Sequence, residues 1–169
     1  SYAYSSTIKV YDEGGTAHNL TCYFDKVSDA ANNKQYWEFI VTIPPEEDNR
    51  TFANPPGSNN WIPTAGTSGA GLLMTGVLTF NSSGLMENMA AFTLQEDAGT
   101  TGSASGFKDL SQWGPTSISP NGYPMLAANF SGASNASYVI DANNQKITSA
   151  GHPDTFPMQL NLGIRSKSG

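Results

Sequence analysis

The sequence predicts a mainly β, antiparallel domain, and three observations carry this prediction. Ser, Thr, Asn, Gly and Pro fill 76 of the 169 positions, a composition that favours strands and turns over long helices. Several short runs alternate apolar and polar residues with a period of two, as half-buried strands require. No stretch of 15 residues keeps the apolar period of 3.6 that an amphipathic helix needs. We therefore expect an antiparallel β-barrel or a sandwich-like domain with long irregular loops and few short helices.

Three strands are predicted in the first part of the chain. Residues 7–11 and 18–25 alternate as strands do and flank turn-forming residues, so they predict a β-hairpin. The third run, 35–43, places these apolar side chains on one face: Trp37, Phe39, Val41 and Ile43. Two consecutive prolines then end the strand, because proline cannot donate to a strand ladder.

The rest of the chain alternates between irregular and strand-like segments. Residues 44–71 contain five prolines and form a long excursion, a kind of connection that is usually functional or mobile. Strand pattern resumes over 72–80, a turn follows over 81–84, and residues 85–94 fit either a returning strand or a helical turn. Later strands are predicted over 126–131, 137–141 and 158–164.

These segments group into one domain over residues 1–169. Its β core is predicted to come from 1–43, 72–94 and 156–169, with 44–71 as a long loop. Residues 95–155 are an insertion, and whether they form a small β subdomain of their own is left open.

Charge and hydropathy exclude several classes of partner. The chain has 8 Lys and Arg against 14 Asp and Glu, a net charge of −6, whereas a nucleic-acid surface needs clustered cations. No apolar run reaches the roughly 18 residues of a transmembrane helix, and no signal-peptide pattern is visible. We therefore predict no nucleic acid and no membrane as partners. Since the sequence begins with Ser, we expect it to be a piece of a longer protein.

No catalytic or metal-binding constellation is visible in the sequence. A zinc site would want about three or four nearby His, Cys or acidic ligands, and the chain has one cysteine and two histidines, His18 and His152. We expect both histidines, and the carboxylates at 12–13, 46–48 and 96–97, to be solvated loop residues. The sequence thus predicts no enzyme and no cofactor. Trp61 and Trp113, in loop-like segments, are the candidates for a surface contact.

Two hairpin-like stretches carry motifs that are not generic β patterns. The first ends a strand on V-Y-D, has a glycine in the turn and begins the next strand with H-x-L; the second reads G-x-L-x-F and then a turn with Gly. An aromatic strand lies between them. The matching positions are Val10, Tyr11, Asp12, Gly15, His18, Leu20, Trp37, Gly76, Leu78, Phe80 and Gly84. In this order the motifs resemble the outer domain of bacterial flagellar hook proteins. The resemblance covers about residues 1–43, 72–94 and 156–165, and Glu13-Gly14 departs from the usual Ser-Leu.

The resemblance implies a structural subunit of the hook, the universal joint between the basal-body rod and the filament. This piece would be the surface-facing domain that makes adaptable subunit contacts. Its partners would be other copies of the subunit and, through the full-length protein, rod, hook-cap and hook–filament junction proteins. It would be exported to the extracellular hook without a cleaved signal peptide, and the isolated piece would be monomeric. A secreted carbohydrate-binding or adhesive β-domain is the alternative.

Three further expectations concern packing, the chain ends and the cysteine. One core should contain Val10 or Ile8 together with Leu20, Phe24, Trp37, Phe39, Val41, Leu78 and Phe80, and Phe80→Ala should cost about 3–5 kcal/mol. Residues 1 and 169 should lie close together, because both would lead back to one inner domain. Some hook proteins join neighbouring subunits by a Cys–Lys lysinoalanine bond, so the resemblance raises Cys22 and Lys9 as a cross-link pair. The alternation of Cys22 with Leu20 and Phe24 favours a small core residue instead.

Overall fold

The computed structural model describes residues 4–12, 14–27, 33–53, 61–63, 69–94, 113–127, 138–140, 146–148 and 157–163. In these ranges it contains the 3₁₀ turn Pro45–Glu47 and no α-helix. The strands are β1 (Tyr4–Tyr11), β2 (Ala17–Val27), β3 (Gln35–Thr42), β4 (Thr51–Ala53), β5 (Trp61–Pro63), β6 (Leu72–Phe80), β7 (Met86–Leu94), β8 (Trp113–Pro115), β9 (Met125–Ala127), β10 (Tyr138–Ile140), β11 (Lys146–Thr148) and β12 (Pro157–Gln159).

The main element is a six-stranded antiparallel sheet with the order β1-β2-β3-β6-β7-β8. Three two-stranded pairs accompany it, β4 with β5, β9 with β12 and β10 with β11. The prediction of a mainly β, antiparallel fold with few short helices is confirmed. Within the described ranges, no helix is both long and apolar enough to span a membrane.

The core lies on one face of the six-stranded sheet. Its buried members are Val10, Leu20, Cys22, Phe24, Phe39, Val41, Ile43, Leu73, Met74, Leu78, Met86, Met89, Ala91, Leu126, Leu160 and Leu162. Leu126 and Leu160 come from β9 and from the residue after β12, so this pair of strands covers part of the inner face in a sandwich-like arrangement. The predicted core is confirmed, with Ile8, Trp37 and Phe80 half-buried against it. Since Phe80 is only half-buried, its truncation should cost less than that of Phe39.

Two β-bulges explain where the sequence pattern departs from a period of two. Thr79 pairs with Asn88, but Phe80 pairs with Met86, so Glu87 has no opposite residue. The bulge brings Met86 and Met89 to the same buried face although they are three residues apart, the spacing that had suggested a helical turn. Residues 85–94 therefore contain a strand, β7. A similar register shift at the start of β6 leaves Leu73 and Met74 both buried.

The irregular segments contain more pairing than the pattern predicts. β4 and β5 pair with each other inside the 44–71 excursion, and β8 joins the main sheet beside β7. β9, β10 and β12 overlap the three later predicted strands. The division into core, loop and insertion stays a prediction, and residues 1 and 169 lie outside the described residues.

Candidate functional site

The closed end of the β1–β2 hairpin brings four of the family-like residues together. Tyr11 ends β1 and is exposed, whereas Asp12 directly after it is 4% exposed. The Asp12 carboxylate accepts hydrogen bonds from the backbone amides of Gly14 at 2.9 Å and Thr16 at 3.0 Å. Gly15 has φ +80°, a left-handed conformation that glycine adopts without steric cost, and its amide donates to the Asp12 carbonyl. The aspartate and glycine thus shape the turn.

His18 connects this turn to the start of the 44–71 excursion. The ring is 7% exposed, with Nε2 2.6 Å from Asp12 Oδ2 and Nδ1 2.7 Å from Glu47 Oε1. A neutral imidazole has one N–H, but an imidazolium has two and can donate to both carboxylates. We refer to Asp12, His18 and Glu47 as the hairpin triad.

The pKa values follow from these contacts. Burial alone would lower the pKa of His18, yet the hydrogen bonds and charges of Asp12 and Glu47 outweigh it and raise the pKa above 6.5. Burial would likewise raise the pKa of Asp12, but donation by His18 and by the Thr16 and Gly14 amides holds it below 3.8. Both directions favour the ion-paired form of the triad.

A second buried network fixes the base of the excursion next to the triad. Asp48 and Arg50 are 0% and 2% exposed and form a two-pronged ion pair, Oδ1 to Nε at 2.8 Å and Oδ2 to Nη2 at 2.9 Å. The Gly71 amide donates to Asp48 Oδ2 at 2.8 Å, and Arg50 Nη2 donates to the Leu72 carbonyl at 2.9 Å. Burial would raise the pKa of Asp48, but Arg50 and the Gly71 amide lower it. The network ties both ends of the excursion together.

The expectation that these charged residues are solvated is wrong for His18, Asp12 and Asp48. His18 and Asp48 each have a partner distant in sequence, Glu47 at 29 residues and Gly71 at 23 residues, and Asp12 is buried as the second partner of His18. No local pattern marks such pairs. His152 lies outside the described residues.

The second family-like stretch supplies core packing and another turn. Gly76 lies under the ring of Phe39, and a Cβ there would be 2.2 Å from two ring carbons and 2.6 Å from the Ala90 carbonyl oxygen. Leu78 is 1% exposed and belongs to the core. Gly84 has φ +78° and donates to the Asn81 carbonyl at 3.0 Å. Val10 and Leu20 belong to the core, and Trp37 packs against it. Most of the family-like residues therefore lie in the core or in the two hairpin turns.

The face of the sheet opposite the core carries two recesses. One, of about 630 Å³, is lined on β1–β3 by uncharged polar side chains and at its rim by residues of the excursion ends: Thr7, Asn19, Thr21, Tyr23, Thr42, Ile43, Pro44, Pro45, Ala70, Gly71 and Leu72. The other, of about 440 Å³, is mostly apolar and includes Ile40, Val77, Phe92 and Trp113. Trp113 is thus half-buried on the outer face. Trp61 lies in β5, but its side chain is outside the described residues.

Cys22 and Lys9 lie on opposite faces of the sheet. Cys22 is fully buried in the core, and burial raises the pKa of its thiol to about 12, which keeps it protonated. Lys9 is exposed and pairs across the hairpin with Asn19 on the outer face. The cross-link stays a prediction: a ladder of boiled, reduced hooks that disappears in Cys22→Ser would support it, and complete dissociation of the wild type would contradict it.

The charged clusters described above serve packing and turn formation, and the part of the chain with described side chains has no group of three or more His, Cys, Asp or Glu suited to a metal ion. Fold and contacts together define a structural β-domain. Residues 1–167 match the family described as the flagellar basal body protein FlaE D2 domain, and the chain belongs to this family of flagellar hook domains. Neither the curated proteins nor the solved structures that were compared with it gave a match.

Membership in the family confirms the resemblance that the hairpin motifs indicated. The family is structural and not enzymatic, and it associates this domain with the flagellar hook and with assembly among hook subunits. The prediction that the chain is not an enzyme agrees with the family. The family match also favours a hook domain over a secreted carbohydrate-binding or adhesive domain.

Proposed function

We propose that this domain faces outward on the flagellar hook and makes weak, adaptable contacts with neighbouring copies. The observation that carries the proposal is the polar recess on the outer face of β1–β3. Its strand residues are Thr7, Asn19, Thr21, Tyr23 and Thr42, which offer hydroxyl and amide groups without a formal charge.

The chemistry of this face suits a contact that must change while the hook rotates. An uncharged hydrogen bond contributes only about 0.5–1.5 kcal/mol net, because water replaces it readily. Two neighbouring surfaces of hydroxyls and amides can therefore exchange partners in small steps. Charged residues are only 13% of the chain, so few salt bridges are available to lock one register. The hook would act in this way as a universal joint.

Trp113 and Trp61 are proposed as further contact residues. Trp113 lies in the apolar recess with Phe92 and Ile40, on the same outer face as the polar recess. Aromatic side chains supply large contact areas at interfaces, so Trp113 would hold a neighbouring copy more firmly than the hydroxyl groups do. For Trp61 the proposal rests on its sequence position alone.

Assembly and export belong to the same proposal. The full-length subunit would contact other copies and, at its ends, rod, hook-cap and junction proteins, after export as an unfolded chain without a cleaved signal. The single cysteine supports this route, because folding after export then requires no internal disulfide.

The proposal is tested by adding charge to the polar recess of the full-length subunit in motile cells. Asn19→Arg and Thr7→Arg change exposed side chains of the outer face and should leave the core intact. We expect hooks that assemble but have altered curvature and stiffness in electron micrographs, with reduced swimming. Ser82→Arg, in the exposed turn at the opposite end of β6, is the control. Normal hook shape and swimming in both recess variants would contradict the proposed contact.

A further inference from the structure

The hairpin triad joins two parts of the chain through a single side chain. His18 belongs to β2, Asp12 follows β1, and Glu47 belongs to the 3₁₀ turn at the start of the 44–71 excursion. Both ring nitrogens lie within hydrogen-bond distance of a carboxylate oxygen, 2.6 Å to Asp12 and 2.7 Å to Glu47. The attachment of the turn to the hairpin at this point therefore depends on the protonation state of one ring.

Loss of a proton from His18 would leave one nitrogen lone pair facing a carboxylate. The neutral ring can keep only one of its two hydrogen bonds, and the other contact becomes repulsive. Asp12 is held in place by the Gly14 and Thr16 amides and is 3% exposed at the side chain. Glu47 is 36% exposed at the side chain and can turn toward water. The contact that breaks is therefore the one between His18 and Glu47.

We propose that His18 is a proton-dependent latch, which as an imidazolium fastens the Pro45–Glu47 turn to the β1–β2 hairpin and as a neutral ring releases it. The release is local, because the Asp48–Arg50 pair holds the next residues to Gly71 and Leu72 independently of His18. Pro44 and Pro45, at the same turn, line the polar recess of the outer face. The latch thus connects protonation to the shape of that recess.

The charged surroundings set the direction of the pH response. Among the described residues, the charged groups that face the ring are Asp12 at the end of β1 and Glu47 in the 3₁₀ turn; Glu46 of that turn is exposed, and Asp48 and Arg50 are paired with each other. When both carboxylates are ionised they stabilise the imidazolium, so the latch is then closed at pH 6.5 and opens as the pH rises through the higher pKa of folded His18.

The test is an NMR titration of the whole 169-residue chain. We expect the His18 ring to titrate above 6.5, and the backbone amide signals of Glu47 and Asp48 to shift with the same midpoint. In Glu47→Gln the His18 midpoint should fall toward 6.5, and the shift of the turn amides in that transition should be largely lost.

The control is Glu87→Gln, which removes a carboxylate of almost the same exposure, 37% against 36% for Glu47, from a pair with Lys34. It should leave the His18 midpoint unchanged. Both glutamate variants change partly exposed side chains, so they should fold. A His18 midpoint at or below 6.5, or turn amides that do not follow the ring, would overturn the proposal.

Discussion

Gly76 shows how a neighbouring side chain can determine which residue a position accepts. It is paired with Phe39 across β3 and β6, and the ring of Phe39 lies where a side chain at position 76 would project. The φ of Gly76 is not in the left-handed region, so its backbone conformation does not require glycine. The glycine of the G-x-L-x-F pattern is needed because the Phe39 ring occupies the space of a side chain. Phe39 and Phe24 then pack with ring centres 6.2 Å apart in the core.

We predict that Gly76→Ala destabilises the domain by about 1–3 kcal/mol, the usual cost of forcing an extra group into a packed core. The new methyl group would overlap the Phe39 ring and the Ala90 carbonyl. Urea unfolding followed by tryptophan fluorescence measures the change. Gly14→Ala, where the nearest atom to a new Cβ is 3.4 Å away, is the matched control and should alter stability little. Equal midpoints for the two variants would contradict this account.

At the scale of the element, buried charges attach the 44–71 excursion to the rest of the domain. It leaves β3, returns at β6, and is held at its base by the Asp48–Arg50 pair and by a backbone hydrogen bond of 2.8 Å from the Ile43 amide to the Gly71 carbonyl. Gly71 has φ +86°, and a Cβ there would be 2.4 Å from the Ile43 carbonyl oxygen. This close approach leaves room only for glycine, so the base of the excursion is specified by Asp48 and Arg50 near its start and by Gly71, 23 residues after Asp48, at its end.

We predict that Asp48→Asn lowers the free energy of unfolding by about 3–5 kcal/mol, because it removes the carboxylate charge that forms the ion pair with buried Arg50. Chemical denaturation at neutral pH measures the loss. Glu87→Gln breaks the exposed Lys34–Glu87 pair and should give almost the wild-type midpoint, since exposed pairs contribute little. If Asp48→Asn unfolds at the wild-type midpoint, the pair does not hold the excursion.

The hairpin triad should give the domain a pH-dependent stability. His18 has a raised pKa when folded, so its contribution is complete below 6.5 and disappears as the pH rises through the folded value. Asp12 has a lowered pKa, so its contribution is complete above 3.8 and disappears as the pH falls through the folded value. The contributions of Asp12 and His18 are therefore both complete between pH 3.8 and 6.5.

The measurement is the difference in unfolding free energy between wild type and His18→Gln as a function of pH. We expect the difference to be largest inside that window and to shrink on its alkaline side. His152→Gln removes the other histidine and serves as the control, with a pH profile like that of the wild type. A difference that grows above pH 6.5 would contradict the sign of the effect.

At the scale of the whole molecule, segments from the two ends of the chain share one core. Val10 of β1 belongs to the same buried cluster as Leu160 and Leu162, which follow β12. Packing of early and late segments against one sheet face suits a domain inserted into a longer subunit, because both connections then leave from the same body. The expectation of neighbouring chain ends has this support.

We predict that residues 1 and 169 lie close together in solution. Spin labels at Ser1→Cys and Gly169→Cys, in a Cys22→Ser background, would give the distance by pulsed electron paramagnetic resonance. We expect a distribution centred below about half the maximum dimension of the domain. As a control, the Cys22→Ser variant without labels should still unfold cooperatively. A long mean distance between the labels would place the two ends at opposite poles and contradict the prediction.

The sequence by itself determined the features that depend on neighbouring residues. Period-two alternation predicted β1, β2, β3 and β6, and the turn residues placed the two hairpin turns, because strands and tight turns are specified within a few positions. The shared order of the hairpin motifs also pointed to the family. The same local rules left β7 undecided, since the bulge at Glu87 creates a helix-like spacing that only the register with β6 explains.

Only the tertiary structure decided which charges are buried and what they hold. His18, Asp12 and Asp48 have the sequence surroundings of solvated turn residues, yet each is buried, and both His18 and Asp48 have a partner more than 20 residues away. A hydrogen bond or ion pair depends on distance and orientation in space, and residues separated by that length of chain carry no local signal of either. The latch and the base of the excursion therefore depend on the tertiary structure, whereas the strands that position these residues are predicted by the local sequence pattern.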